Sequence, residues 1–217
     1  MRRIGVIGCY SHDVILLLAK AVSCLGKRVY VTDRNEARVL SACRPVSEEW
    51  KSEGYTEYRG RFFSNDACKE APEEEEDIEF VDFGFFPTEE GCSACRELIV
   101  ICDMHVHHIR RIREATFPRE KVKLCMLRDV IPGLLHSEKE IEVFLAELEA
   151  EKTFYLWPDD RDIKNRYVCE LQHEYSLKNA SADMREAIFE AVVFLFPEAE
   201  ERELRRRIRQ VERREYR

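Results

Sequence analysis

The order of elements in the first part of this chain restricts the fold more than any other feature. Residues 3–8 are a short apolar run rich in β-branched residues, and residues 14–25 follow with the apolar spacing of an α-helix. Gly26 interrupts that spacing, and residues 27–32 form a second apolar run that ends in Asp33. Strands joined by a helix usually pair in parallel, because a parallel pair needs a long crossover connection. The sequence therefore predicts a βαβ unit at the start of a mostly parallel sheet.

Further segments continue this alternation along the 217-residue chain. The alternation around Arg59-Gly60 predicts a hairpin over residues 55–63, and Ser137 with Glu140 predicts a capping box at a helix start. The other predicted strands are residues 78–84, 97–102, 122–127 and 153–157, and the other predicted helices are residues 107–116, 138–151, 162–171, 182–196 and a segment after Pro197. These elements predict an α/β fold with a mostly parallel central sheet, helices on both of its faces and a helical C-terminus.

Composition limits the classes of function. Hydrophobic residues make up 45% and charged residues 36%, as in globular domains, and the apolar runs are too short to span a membrane. The nine cysteines are odd in number and several lie in apolar runs. This usage favours reduced thiols in the cytoplasm over a disulfide framework. A net charge of −8 argues against DNA binding.

Residues 18–33, 78–84 and 154–160 form three segments that together resemble the ParA/MinD family of deviant Walker ATPases, which have a P-loop fold of the SIMIBI class. The similarity covers about residues 3–166. Residues 18–33 look like the family's first helix and second strand, and residues 78–84 look like its Walker B strand. Residues 154–160 look like its last core strand with a Pro-containing turn. Asp33 stands where the family has an acidic residue at a strand end. The resemblance implies that Asp82 serves the magnesium ion and the attacking water, and that the turn with Asp159 approaches the nucleotide base.

The loop after the first strand departs from this family. A phosphate-binding loop needs several glycines, whose backbone N–H groups surround the phosphates, a lysine for the β- and γ-phosphates, and a Ser or Thr for Mg²⁺. From Gly8 to Asp13 this chain has one glycine and no lysine, and Asp13 stands near the helix N-terminus where phosphate would lie. A carboxylate there repels a triphosphate and satisfies the helix dipole itself. We therefore predict that the chain does not hydrolyse ATP.

The leading hypothesis is a non-catalytic ParA/MinD-like protein. We expect no cofactor and no catalytic residue. If ATP or ADP binding is retained, the residues expected to provide it are Gly8, Ser11, Asp33, Asp82 and Asp159. The resemblance extends to TadZ-like pilus-assembly proteins, some of which have degenerate loops. It implies a scaffold or localisation factor in pilus, secretion or partition machinery.

The same βαβ start leaves a second hypothesis open, a nucleotide- or dinucleotide-dependent enzyme with a Rossmann-like site at the C-terminal edge of the strands. Asp33 ends the second strand, where such folds place the acid that binds a ribose hydroxyl. The fingerprint G-x-G-x-x-G is met at Gly8 alone, because Tyr10 and Asp13 stand at its second and third glycine positions. Side chains at those positions would block the pyrophosphate.

Cysteines and histidines raise the question of a metal site. Cys92 and Cys95 form a C-x-x-C pair, and His105 and His107 follow downstream, as zinc ligands do. A strand is predicted between the two pairs, so we predict no metal site and keep these four residues as candidates. His105 should lie at the same edge of the sheet as Gly8, Asp33, Asp82 and Asp159, because all five follow the ends of predicted parallel strands.

The last segment, residues 198–217, is predicted to be a basic amphipathic helix attached to an α/β domain of residues 1–197. Eight arginines and six glutamates surround its apolar stripe of Leu204, Ile208 and Val211. So narrow a stripe is expected to add little to the core and to mediate association with protein partners, including a second copy of the chain. Membrane contact is expected only through such a complex.

Overall fold

Eight strands form one sheet in the part of the chain that the computed structural model describes, which is residues 1–45, 55–64, 77–133 and 135–215. The strands are β1 (Arg2–Gly8), β2 (Val29–Asp33), β3 (Thr56–Tyr58), β4 (Arg61–Ser64), β5 (Ile78–Gly84), β6 (Glu97–Asp103), β7 (Val122–Arg128) and β8 (Lys152–Tyr155). Their order across the sheet is β3-β4-β2-β5-β1-β6-β7-β8. Neighbours are parallel except for β3 and β4, which form the predicted hairpin.

Helices cover both faces of this sheet. They are α1 (His12–Ser23), α2 (Val39–Ala42), α3 (Glu89–Ser93), α4 (Val106–Glu114), α5 (Leu135–Leu148), α6 (Asp160–Gln172), α7 (Ala182–Leu195) and α8 (Glu201–Glu215). One core cluster packs α1, α6, α7 and α8 against the sheet, and the other packs α3, α4 and α5 against it. In β5, Phe80 belongs to the first cluster and Val81 to the second, as the alternation of side chains along a strand requires. The predicted α/β fold with helices on both faces is confirmed.

Several predicted boundaries differ from the structure by one to three residues, and two of them are instructive. Helix α5 begins at Leu135, so Ser137 lies inside the helix rather than before its first turn. The pattern S-x-x-E marks a helix start only weakly, because the same residue types also occur within first turns. Strand β8 ends at Tyr155, two residues earlier than predicted.

The C-terminal helix α8 is part of the core. The side chains of Leu204 and Ile208 are 0% and 2% exposed and belong to the same cluster as α1 and α7. Glu212 accepts a 2.6 Å hydrogen bond from the Ser176 hydroxyl and lies 3.6 Å from the buried Lys20 ammonium. The expectation that this helix adds little to the core is therefore wrong. A three-residue stripe is enough because α1 and α7 leave matching apolar surface, which the sequence of α8 alone cannot reveal.

The described cysteines are all buried. They are Cys9, Cys24, Cys43, Cys92, Cys95, Cys102, Cys125 and Cys169, and Cys68 lies outside the described residues. Within the described ranges, the helices are all too short or too polar to cross a membrane.

Candidate site at the carboxyl edge of the sheet

Five of the residues singled out from the sequence lie along the carboxyl edge of the sheet, as predicted. Gly8 ends β1, Asp33 ends β2, and Asp82 stands two residues before the end of β5. Asp33 and Asp82 are direct register partners on neighbouring strands. His105 precedes α4 just after β6, and Asp159 precedes α6 shortly after β8. The five residues therefore share the edge at which open parallel sheets place their ligand sites.

The turn from β1 into α1 is short and tightly packed. Gly8 has a φ of +130°, and a Cβ atom there would lie 1.7 Å from the carbonyl oxygen of Ile101. Glycine is needed at this position because the backbone of β6 leaves no room for a side chain. The Cys9 N–H donates to the same carbonyl at 3.0 Å, and Tyr10 has a left-handed φ of 47°. Three residues, Cys9 to Ser11, thus connect the strand to the helix.

A buried ion pair closes this turn. The Arg128 guanidinium, at the end of β7, donates from Nη1 to Asp13 Oδ1 at 2.6 Å and from Nη2 to Asp13 Oδ2 at 2.8 Å. Nη1 also donates to the Tyr10 carbonyl at 2.6 Å. Burial raises the pKa of Asp13, but the charge and hydrogen bonds of Arg128 outweigh burial and hold that pKa below its usual value. Asp13 is therefore an ionised carboxylate at the N-terminus of α1, with its counter-charge built into the fold.

The Tyr10 ring is also held from α6. The Arg166 guanidinium lies 5.1 Å from the centre of that ring and 3.4 Å from the Asp129 carboxylate. An arginine over an aromatic face is attracted by the ring electrons. Both the backbone and the side chain of Tyr10 are thus anchored by arginines.

Asp82 is the centre of a second network, whose donors are all uncharged. Its Oδ1 accepts from the Ser11 hydroxyl at 3.0 Å and from the Gly84 N–H at 3.1 Å, and its Oδ2 accepts from Asn35 Nδ2 at 3.2 Å. Burial raises the pKa of Asp82 to about 6, although these hydrogen bonds oppose the shift. Ser11 is thus coupled to Asp82 across the strand ends.

The Asp33 carboxylate likewise accepts hydrogen bonds with both of its oxygens. Its Oδ1 accepts from the Asn35 N–H at 3.2 Å, and its Oδ2 accepts from the N–H and the hydroxyl of Ser41, each at 2.8 Å. These bonds tie the end of β2 to α2. Asp33 would have to break these hydrogen bonds in order to bind a ribose hydroxyl. This requirement weakens the dinucleotide hypothesis.

The magnesium ion that the family resemblance implies does not fit these carboxylates. Mg²⁺ takes about six oxygen ligands in octahedral geometry and keeps several waters. Asp82 is fully buried, and the oxygens of Asp82 and Asp33 already accept hydrogen bonds from described neighbours. A hydrated cation would have to displace those donors and open the end of the sheet.

Asp159 lies at the edge of the site. It precedes α6 and accepts hydrogen bonds from the Arg161 N–H at 2.8 Å and from the Arg161 guanidinium at 3.0 and 2.8 Å. The hydrogen bonds from Arg161 lower the pKa of Asp159 to about 2. Asp159 acts here as a helix cap.

The four metal candidates do not come together. Cys92 lies in α3 and Cys95 lies before β6, whereas His105 and His107 follow β6 at the opposite edge of the sheet. A seven-residue strand separates the pairs by about 20 Å. Burial raises the pKa of Cys92 to about 12 and that of Cys95 to about 11, which disfavours the thiolates that a metal needs. The strand predicted between the two pairs is present as β6, and it places them at its opposite ends.

Several residues of the site were not identified from the sequence, chiefly Arg128, Asn35, Cys9 and Asp103. Arg128 and Asp103 are the last residues of β7 and β6. The rule that parallel strand ends meet at one edge could have found both of them. The partners of a given strand end depend on strand order, which the sequence does not state.

Comparisons with known proteins show the same fold. No family model matches the sequence, and no curated protein matches it either. A chain of the MinC:MinD cell division protein complex from Aquifex aeolicus is similar at 12% identity with a TM-score of 0.62, over 92% of this chain and 98% of that chain. A ParA family ATPase from Chlorobium tepidum has 13% identity and a TM-score of 0.51, over 88% and 98%. The pNOB8 ParA bound to nonspecific DNA has 12% identity and a TM-score of 0.47, over 97% and 99%. The chain has the ParA/MinD-type P-loop fold.

Proposed function

We propose that this chain is a ParA/MinD-like protein that does not hydrolyse ATP and that works by binding other proteins, as a scaffold or localisation factor. The observation that carries the proposal is the ion pair of Asp13 and Arg128 at the N-terminus of α1. A helix N-terminus that follows the first strand is where P-loop folds bind phosphate, because free N–H groups and the helix dipole favour negative charge. In this chain Asp13 supplies that negative charge.

A triphosphate would meet three obstacles at this turn. It would approach the ionised Asp13 carboxylate, which is fully buried and repels it. It would have to displace Arg128 from both Asp13 and the Tyr10 carbonyl. The turn also has three residues between Gly8 and His12 and no lysine, so it cannot surround phosphates with backbone N–H groups. These obstacles support a nucleotide-free protein.

The carboxylate of Asp82, which would orient the attacking water, is also occupied by hydrogen bonds. Asp82 would need a free oxygen to orient water or hold Mg²⁺, but Ser11, Gly84 and Asn35 donate to it. Its raised pKa of about 6 leaves part of the population protonated near neutral pH. Asp82 therefore serves structure in this proposal.

Protein partners follow from the comparison and from the surface of the site. The similar Aquifex aeolicus chain comes from a complex of two division proteins. Tyr10, Ile131 and Trp157 are about half exposed at or near the carboxyl edge. We extend the proposal to a homodimer, to pilus, secretion or partition machinery as the setting, and to membrane contact only through a complex. The net charge of −8 supports the absence of DNA binding, which fluorescence anisotropy with labelled duplex DNA would check.

Phosphate release from ATP tests the central claim. The wild-type protein should release no phosphate above the level of an Asp82→Ala variant prepared in parallel, because both preparations carry the same contaminating ATPases. Steady release by the wild type that disappears in Asp82→Ala would overturn the proposal.

Thermal shift separates loss of hydrolysis from loss of binding. ATP, ADP, NAD and NADP, each with and without Mg²⁺, should leave the melting temperature unchanged. A ligand at 100 times its dissociation constant would add about 2.7 kcal/mol of stability, which shifts a domain of this size by several degrees. A shift with ATP or ADP but no phosphate release would mean that nucleotide binding is retained.

A further inference from the structure

Three metal-binding side chains converge beside the closed turn. Cys9 follows β1, Asp103 is the last residue of β6, and His108 lies in the first turn of α4. One ligand atom from each of them, a sulfur, a carboxylate oxygen and a ring nitrogen, lies within 4.8 Å of the other two. Cys9 and Asp103 are buried and His108 is half-buried. The three come from separate elements, so strand order brings them together.

The distances suit a small tetrahedral ion. Zinc bonds of about 2.0 Å to nitrogen or oxygen and about 2.3 Å to sulfur place neighbouring ligand atoms about 3.3–3.7 Å apart in a tetrahedron, with the shorter separation between nitrogen and oxygen. Asp103 Oδ1 lies 2.8 Å from His108 Nδ1 and 3.3 Å from His105 Nδ1. An ion needs only about 0.5 Å of opening between Asp103 and His108. The side chain of His105, which is 65% exposed, lies outside the group of three ligand atoms that are within 4.8 Å of one another, and it would have to turn toward them to supply a fourth ligand from the solvent side.

Contacts within the folded chain orient the three ligand residues. The backbone of Cys9 is fixed by its hydrogen bond to Ile101, and Asp103 Oδ1 accepts the N–H of His105 at 2.9 Å. The His108 ring packs 4.9 Å from Phe85, centre to centre. Ligands that neighbouring groups orient in this way lose little freedom when an ion binds.

We propose that Cys9, Asp103 and His108, completed by His105, form a site for a borderline transition metal ion such as Zn²⁺. A thiolate and imidazoles suit zinc, cobalt and nickel, whereas calcium and magnesium take oxygen ligands. The ion would join the turn after β1 to the end of β6 and the start of α4. It would replace the hydrogen-bonded proton between Asp103 and His108, and binding would also remove the thiol proton of Cys9.

Cobalt spectroscopy on the full chain, with any purification tag removed, tests the site. Co²⁺ titration should give one ion per chain, intense visible bands typical of tetrahedral cobalt, and a near-ultraviolet thiolate-to-cobalt charge-transfer band. Zn²⁺ should bleach these bands by displacement. Absence of the charge-transfer band in the wild-type protein would overturn the proposal without any variant.

Variants assign the ligands. Cys9→Ser should remove the charge-transfer band, and His108→Gln should weaken Co²⁺ binding more than about 100-fold, since even outer-sphere changes cost 10–100-fold. His107→Gln is the matched control, because His107 is the exposed neighbour of His108 in the same helix turn. Equal losses in His107→Gln and His108→Gln, or a Cys9→Ser spectrum like that of the wild type, would mean chelation by surface histidines and would refute the site. Far-ultraviolet circular dichroism checks folding, and if Cys9→Ser is unfolded, the wild-type spectrum and His108→Gln decide.

Discussion

Removal of Arg128 tests whether the buried ion pair stabilises the turn after β1. In Arg128→Met the side chain keeps roughly its length, but the buried Asp13 carboxylate loses guanidinium hydrogen bonds of 2.6 and 2.8 Å. The Tyr10 carbonyl loses a bond of 2.6 Å. Removing one partner of a buried pair costs about 3–5 kcal/mol. Since typical domains are stable by about 5–15 kcal/mol, the variant should fold and unfold at a much lower urea concentration.

The penalty should depend on pH with a defined sign. In the wild type, burial raises the pKa of Asp13 but Arg128 outweighs burial, so the pKa is lowered from 3.8. The stabilising contribution of Asp13 is therefore present above about pH 3.8 and is lost as the pH falls. In Arg128→Met burial acts without the counter-charge and raises the pKa, so acidification should stabilise the variant. The difference in unfolding free energy between the two proteins should shrink from pH 7 to pH 4.5.

Urea unfolding followed by circular dichroism at both pH values measures these effects. Arg113→Met is the matched control, because Arg113 donates to Glu147 at 2.7 and 2.6 Å with side chains that are 37% and 42% exposed. An exposed pair contributes about 0–1 kcal/mol. Asp13→Asn combined with Arg128→Met completes a double-mutant cycle and should cost less than the sum of the single changes. The reasoning is refuted if Arg128→Met costs no more than the control at pH 7, or if the single costs add.

Three further predictions follow from single side chains. The wild type should lose stability as pH rises from 3.8 through about 6, because the folded state binds the Asp82 proton more tightly than the unfolded state does. Asp82→Asn has no such proton, so in urea unfolding the variant should gain about 2–3 kcal/mol relative to the wild type across that window. Parallel pH profiles of the two proteins would contradict this. Gly8→Ala should lower the melting temperature severely, since its Cβ would lie 1.7 Å from a carbonyl oxygen. Gly26→Ala, at a φ of +87° with no described atom within 4 Å, should cost only about 1–2 kcal/mol of stability. Equal losses in the two variants would contradict this. Leu204→Ala should cost about 2–5 kcal/mol in urea unfolding and the half-buried Val211→Ala clearly less, a ranking that an equal effect would contradict.

The strands were predictable because buried parallel strands leave a strong pattern. β6 is a continuous apolar run between Glu97 and Asp103, and β5 is apolar apart from Glu79 and Asp82. The predicted and observed bounds of these two strands differ by at most one residue. The hairpin of β3 and β4 was predictable because Gly60 adopts a positive φ of +72° between alternating residues. Helix ends were less predictable, as α5 shows, since caps contribute little energy and fraying shifts them.

The partners within the site were not predictable from one sequence. The carboxylate of Asp13 was expected to satisfy the helix end, but its partner Arg128 is 115 positions away. The cluster of Cys9, Asp103 and His108 draws on β1, β6 and α4, whereas spacing along the chain pointed to Cys92. Strand order decides which of these groups meet, and it is set by packing of the whole sheet rather than by any local pattern.

The closed turn has a consequence for how a protein of this fold could be regulated. A ligand shifts a conformational equilibrium only by its difference in affinity for the two states. If Asp13 and Arg128 occupy the place of phosphate, a nucleotide would bind neither conformational state at α1. Switching driven by nucleotide would then be lost together with hydrolysis. Partner binding would then be constitutive, unless another ligand acts on the same turn. The metal ion proposed at Cys9 would be such a ligand, because it would bond to the residue next to Gly8 in this turn.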